Sequence, residues 1–154
     1  MRRLTIQAAC FLALALTTAG AGIAGRGRDA APSIPNGTYR TSFTDDQLRG
    51  PGVGPQQRSG SVGVYTLRVT TGKWKVVVKS PTPGASVVLT GTYSGAGNRV
   101  GFLHKTPPDV AGVTLQFIWS FDGKALHFKA APGSGFPAPV VKVIWTRHPW
   151  MKTG

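Results

Sequence analysis

The chain has 154 residues, with 18 Lys+Arg against five acidic side chains, a net charge of +13 and no glutamate. That imbalance favours acidic surfaces and polyanions as partners without fixing a fold, and Gly (21) and Pro (12) together stay just below the range of low-complexity disorder. The length allows one ordinary domain with its own core, and a single cysteine excludes a disulfide framework.

Residues 1–24 read as a secretory signal peptide. Arg2 and Arg3 form a basic start, AACFLALAL (8–16) is a short apolar core, and TTAGAGIAG offers small residues for cleavage after Ala21 or Ala24. The apolar run is shorter than a membrane-spanning helix needs. Cys10 lies inside that run, so the expected mature, secreted chain has no cysteine, and removal of Arg2 and Arg3 leaves it at about +11. Residues 25–35 are expected to be a flexible segment, and 36–154 one β domain.

From Gly37 onward apolar residues alternate, and turn residues interrupt them at regular intervals. The pattern predicts strands over 37–43, 61–70, 73–79, 87–93, 99–104, 113–121, 124–130 and 140–147. One short helix is predicted after the first strand, over TDDQLR (44–49): Thr44 can cap it, Asp45 and Asp46 suit its positive end, and Gly50-Pro51 stops it. A Gly-, Pro- and Gln-rich loop then runs to about residue 60.

Two turns predict registers. Thr71-Gly72 pairs Val69 with Trp74, Leu67 with Val76 and Tyr65 with Val78. Asp122-Gly123, read as a two-residue hairpin, pairs Trp119 with Leu126 and Phe117 with Phe128. Both hairpins then carry one apolar face. Eight antiparallel strands with one buried face can close on themselves and lose their exposed edges, so the predicted fold is all-β, an eight-stranded antiparallel up-and-down barrel. An open two-sheet sandwich is the alternative.

The inward aromatic set contains Tyr39, Tyr65, Trp74, Tyr93, Phe102, Phe117, Trp119, Phe128 and Trp145. These residues either line a pocket for a small apolar or amphipathic ligand or fill the barrel outright. In a last strand over 140–147, Arg147 shares parity with Val141, Val143 and Trp145. That places its guanidinium over the barrel end, against Tyr39 or against Trp150 beyond the Pro149 bend.

Gly37-Thr38-Tyr39 on the first strand and Arg147 near the end of the last resemble the lipocalin or calycin superfamily. Its barrels carry Gly-x-Trp on the first strand and an arginine that packs across that tryptophan. Here tyrosine stands for the tryptophan, and the family's Thr-Asp-Tyr motif and usual disulfides are missing. The opening GTYRTSFT and the ending VIWTRHPW are similar to small barrel domains of secreted bacterial proteins. The resemblance implies a lipocalin-like barrel; the inward aromatic residues carry the expectation of a small hydrophobic ligand, held without a cofactor.

On the outer face, Arg68 falls opposite Lys75, with Lys73 and Lys79 on the same side. Facing like charges cost a few tenths of a kcal/mol. Either these are solubilising strand lysines, or they serve an anionic partner such as a cell-wall polymer, a polysaccharide or a membrane surface. Enzyme chemistry finds little here. Asp45 and Asp46 read as capping charges, Asp109 and Asp122 as turn residues, and His104, His127 and His148 share no metal-ligand spacing. A barrel isomerase or cyclase would need an inward acid and base that the pattern does not supply. The reading is therefore a monomeric, non-catalytic binding protein without metal and without specific nucleic-acid recognition.

Overall fold

The computed structural model describes residues 33–82 and 84–154; the expected signal peptide, and the 25–35 segment up to residue 32, lie outside them. Eight strands form a closed antiparallel barrel in chain order. They are β1 (Gly37–Phe43), β2 (Gly63–Thr70), β3 (Lys73–Lys79), β4 (Ser86–Ala96), β5 (Arg99–Thr106), β6 (Thr114–Phe121), β7 (Ala125–Ala130) and β8 (Trp150–Lys152). The barrel excludes the open sandwich and has the up-and-down layout that the lipocalin resemblance implied.

The β2–β3 register is the one predicted: Val69 faces Trp74, Leu67 faces Val76 and Tyr65 faces Val78 across Thr71-Gly72, where Gly72 takes φ +71°. The β6–β7 register differs. Trp119 faces Phe128, Phe117 faces Ala130 and Phe121 faces Leu126. Asp122 explains the shift, since its Oδ1 accepts the backbone N–H of Lys124 (2.8 Å) and of Ala125 (2.7 Å), which centres the turn on Gly123-Lys124. Only Gly123 takes positive φ there (+92°). Because the slip is two residues, every side chain keeps its predicted face.

His127 completes this turn, with Nε2 at 2.9 Å from Asp122 Oδ2. That bond first, and the two backbone N–H groups after it, hold the Asp122 carboxyl down from 3.8 to about 2. A folded value below the unfolded one means that the turn's contribution to stability is complete above the unfolded pKa and is lost as pH falls through the folded value. His127→Ala is expected to move the Asp122 titration, followed by carboxyl NMR shifts, back toward the unperturbed value. An unmoved midpoint would assign the depression to the backbone N–H groups alone.

After β1 the predicted helix over 44–49 is a single 3-10 turn, Asp46–Leu48. Thr44 and Gln47 cap it reciprocally: the Thr44 N–H donates to Gln47 Oε1 at 2.9 Å, and the Gln47 N–H to Thr44 Oγ1 at 3.4 Å. One more short helix, α1 (Pro55–Ser59), occupies what reads as loop.

The largest difference is at 140–147. That segment is not the last strand but a helix, α2 (Pro139–Thr146), and the eighth strand is the three-residue stretch that follows. Its β-branched run VVKVI favours a strand on propensity, but Pro139 at the first helical position pre-sets φ for a helix. The apolar residues also fit a helix, since Val140, Ile144 and Trp145 are the buried ones, spaced four and five apart. Pro149 then disfavours helix for His148, and the chain turns into β8. This short strand closes the barrel by pairing Tyr39 with Lys152 on β1 and Leu126 with Trp150 on β7. Pairing continues just past it, where the Thr153 N–H donates to the Thr38 carbonyl at 2.8 Å.

Candidate functional site

The barrel interior divides into three layers. At one end Tyr39, Tyr93 and Trp119 gather near the incoming chain, where Ile34 is buried and the Tyr39 hydroxyl donates to the Pro35 carbonyl at 2.8 Å. Burial first, and Tyr93 after it, raise the Tyr39 pKa. The middle is solid. Phe102 has ring centroids of Trp74, Tyr93, Phe117, Phe128 and Trp145 within 5.1 to 6.0 Å, and Phe117 lies 5.4 Å from Phe128. Each such pair contributes about 0.5–1.5 kcal/mol beyond area burial. Of the nine residues predicted to line a pocket, Tyr39, Trp74, Phe102, Phe117 and Phe128 are core, and Tyr93 and Trp119 are partly buried against it.

At the other end α2 plugs the mouth. Its Trp145 enters the barrel and lies 5.1 Å from Trp150 at an interplanar angle of 34°. Under the plug a partly enclosed cavity of about 130 Å³ remains. Strands supply Tyr65, Val76, Leu89, His104, Leu115 and Trp150; α2 supplies Val141, Ile144 and Trp145; and the connecting segments supply Val110, Val113 and Pro137. Tyr65 and Trp145 are therefore the predicted ligand residues that the cavity retains. Alternation in the sequence marks the strand walls, including His104 on its inward parity, but it carries no signal for a roof built by a helix and loops.

Three polar groups belong to the residues of this lining. The Tyr65 hydroxyl donates to the Ser61 carbonyl at 2.6 Å, and burial pushes its pKa up to about 12, slightly countered by that bond. His104 is buried, with Nδ1 at 3.1 Å from the Val113 carbonyl oxygen. A carbonyl only accepts, so the proton sits on Nδ1 and Nε2 keeps its lone pair. Burial lowers the His104 pKa, only partly offset by the Val113 bond, so the ring is neutral near pH 7. The third group is the Trp150 indole N–H, buried and without a hydrogen-bond partner among the described residues. Leaving a donor unpaired in this way costs about 1–3 kcal/mol.

Arg147 does not cover the barrel end. It is exposed at the C-terminal cap of α2, where its Nη1 donates to the Gln47 carbonyl and ties the helix to the 3-10 turn after β1. The arginine-over-aromatic pairing that the resemblance implied is thus replaced. Tyr39 is bonded to Pro35 at the opposite end, and Trp150 is fully buried inside as the first residue of β8. The helical path of 139–146 is the cause, because strand parity no longer applies there.

On the outside Arg68 faces Lys75 as predicted, and Lys73 lies one row along, opposite Thr70 and Thr92. They line a shallow groove of about 510 Å³ that also takes in Thr90, Gly91 and Lys105. Lys79 is on the same outward side but two rows away, opposite Val64 and Ser86, and does not line the groove. Among the described residues no group of three or more His, Cys, Asp or Glu is placed to hold a metal ion, and no helix is long and apolar enough to cross a membrane. In comparisons with protein-family models, curated proteins and solved structures, nothing matches this chain.

Proposed function

We propose that this protein is a secreted, non-catalytic, lipocalin-like barrel that binds one compact, neutral, amphipathic molecule of about one ring in size. The observation that carries the reading is the cavity beneath α2, with an apolar wall and a neutral imidazole acceptor on His104. Its size sets the ligand class. An engineered apolar cavity of about 150 Å³ in another protein admits benzene, so this space suits a small aromatic or alicyclic alcohol rather than a long acyl chain. The hydroxyl of such a ligand can donate to the His104 Nε2 lone pair.

Phenol and benzene are the probes, titrated against the protein while the indole N–H resonances of Trp145 and Trp150 are followed. Both should shift those resonances, and phenol should bind more tightly. Val141→Phe, which places a ring in the cavity from a partly exposed helical position, should abolish both responses. His104→Phe should weaken phenol by about fivefold or more, the effect of one lost hydrogen bond, while sparing benzene. Indole resonances that stay still at millimolar phenol and benzene would overturn the reading. An unchanged phenol preference in His104→Phe would remove the acceptor role.

A further inference from the structure

The outer face of β2–β5 is built without carboxylates. No acidic residue occurs between Asp46 and Asp109, a span that contains all four strands. The ion pairs among the described residues join Asp46 to Arg49, Asp45 to Arg58 and Asp122 to His127, and none uses Arg68, Lys73, Lys75 or Lys105. Among the described residues, these four cations therefore meet in one groove with no counter-charge beside them.

Register turns the groove into two rows across the sheet. One row runs Arg68, Lys75, Thr90, Thr106, with the last two hydroxyls 2.7 Å apart; the next runs Thr70, Lys73, Thr92. Neighbouring positions within a row lie about 5 Å apart and the rows about 7 Å apart. Arg68 and Lys75 are direct cross-strand neighbours, a placement that destabilises by a few tenths of a kcal/mol unless an anion bridges them. Gly91 contributes only backbone to the groove lining, because a side chain there would point inward toward Trp74.

We propose that this groove binds a linear anionic polysaccharide, with the cations pairing to its sulfate, phosphate or carboxylate groups and the threonines exchanging hydrogen bonds with sugar hydroxyls. The lining argues for this partner over two others. Single-stranded nucleic acid needs exposed aromatic faces on which bases stack. The only ring at the groove belongs to Trp74, which is 2 % exposed and donates its indole N–H to the Thr92 carbonyl at 3.1 Å. A bilayer is broad and cannot enter a concavity, whereas a single polymer chain can lie along it.

The test measures binding of a heparin fragment, a sulfated probe, beside neutral dextran, single-stranded DNA and vesicles containing phosphatidylserine. The paired change Lys73→Gln/Lys75→Gln is compared with Lys129→Gln/Lys142→Gln, which removes equal charge from exposed positions on β7 and α2. Heparin should bind, dextran should not, and affinity should fall as salt shortens the screening length. The groove pair should lose about tenfold or more, as expected for two cations each facing anionic groups, and the control pair less than twofold. Equal losses in the two pairs would reduce the effect to net charge and overturn the site. Tighter binding of DNA or vesicles than of heparin, lost with the groove pair, would overturn the partner class. Phenol binding in the cavity should be unchanged in both variants, so the two sites stand or fall separately.

Discussion

Gly91→Ala is expected to destabilise the barrel by about 3 kcal/mol or more, at the upper end of what overpacking a core produces. A Cβ at this position would lie 1.9 Å from the Leu103 carbonyl oxygen and 2.7 Å from the Trp74 indole nitrogen. Neither neighbour can yield. The carbonyl belongs to the β5 backbone, and the indole is wedged against Phe102 and His104 while it holds the Thr92 carbonyl. Gly91 sits where the β4–β5 register shifts, between Thr90 and Gly91, so the irregularity in the ladder coincides with a close approach to a buried ring. The measurement is a urea or thermal midpoint, with Gly101→Ala as the comparison. Gly101 lies on β5, and its Cβ would meet Thr114 Cγ2 at 3.5 Å and the Ser94 carbonyl oxygen at 3.9 Å, both ordinary contacts, so this change should be neutral or stabilise by up to about 1 kcal/mol. Equal midpoints for the two variants would mean that β4 and β5 can separate at the bulge.

The contrast between β3 and α2 shows which parts of this fold are legible in sequence. In KWKVVVK the period is two and the turn before it is a two-residue Thr-Gly, so strand, register and inward side all follow. In PVVKVIWT the residue types say strand while their spacing serves a helix as well as a strand, and Pro139 is the one local signal that decides. Arg147 leaves the barrel end for the same reason, since it follows the helix and not a strand's parity. The Asp122 turn fails differently, because a side chain that caps two backbone N–H groups moves the turn by one position and leaves all faces intact. The cavity was the least accessible feature. Its strand walls are inward positions that alternation reveals, yet whether they enclose space depends on what plugs the mouth. Trp74 and Phe117, natural candidates for pocket residues, are packed against other rings instead. The outer groove is legible in part, since Arg68, Lys73 and Lys75 share parity on one hairpin, while Lys105 joins them only through the pairing of β4 with β5.

Trp145→Ala should cost about 3–5 kcal/mol, the range for removing a large aromatic side chain from a core. Trp145 is 4 % exposed, and its ring centroid lies within 5.1 to 6.4 Å of five others: Trp74, Phe102, Phe117, Phe128 and Trp150. It is thus the largest of the three buried side chains, with Val140 and Ile144, through which α2 is fastened to the barrel. Folded domains are stable by only about 5–15 kcal/mol in total, so this one truncation removes a large share. The space it leaves is continuous with the lining of the existing cavity, of which Trp145 forms part of the roof. Two results should therefore appear together: a lower unfolding midpoint, and acceptance of a two-ring probe such as naphthalene that the intact protein excludes by size. Val143→Ala on the same helix provides the contrast, because Val143 is only partly buried and the loss there should be about 1 kcal/mol. Were 140–147 a strand, Val143 and Trp145 would point inward together and the two losses would approach each other. A large loss at Trp145 with a small one at Val143 is the signature of a helical plug, and a Trp145→Ala protein that kept its midpoint and still excluded naphthalene would detach α2 from both the stability and the cavity of the barrel.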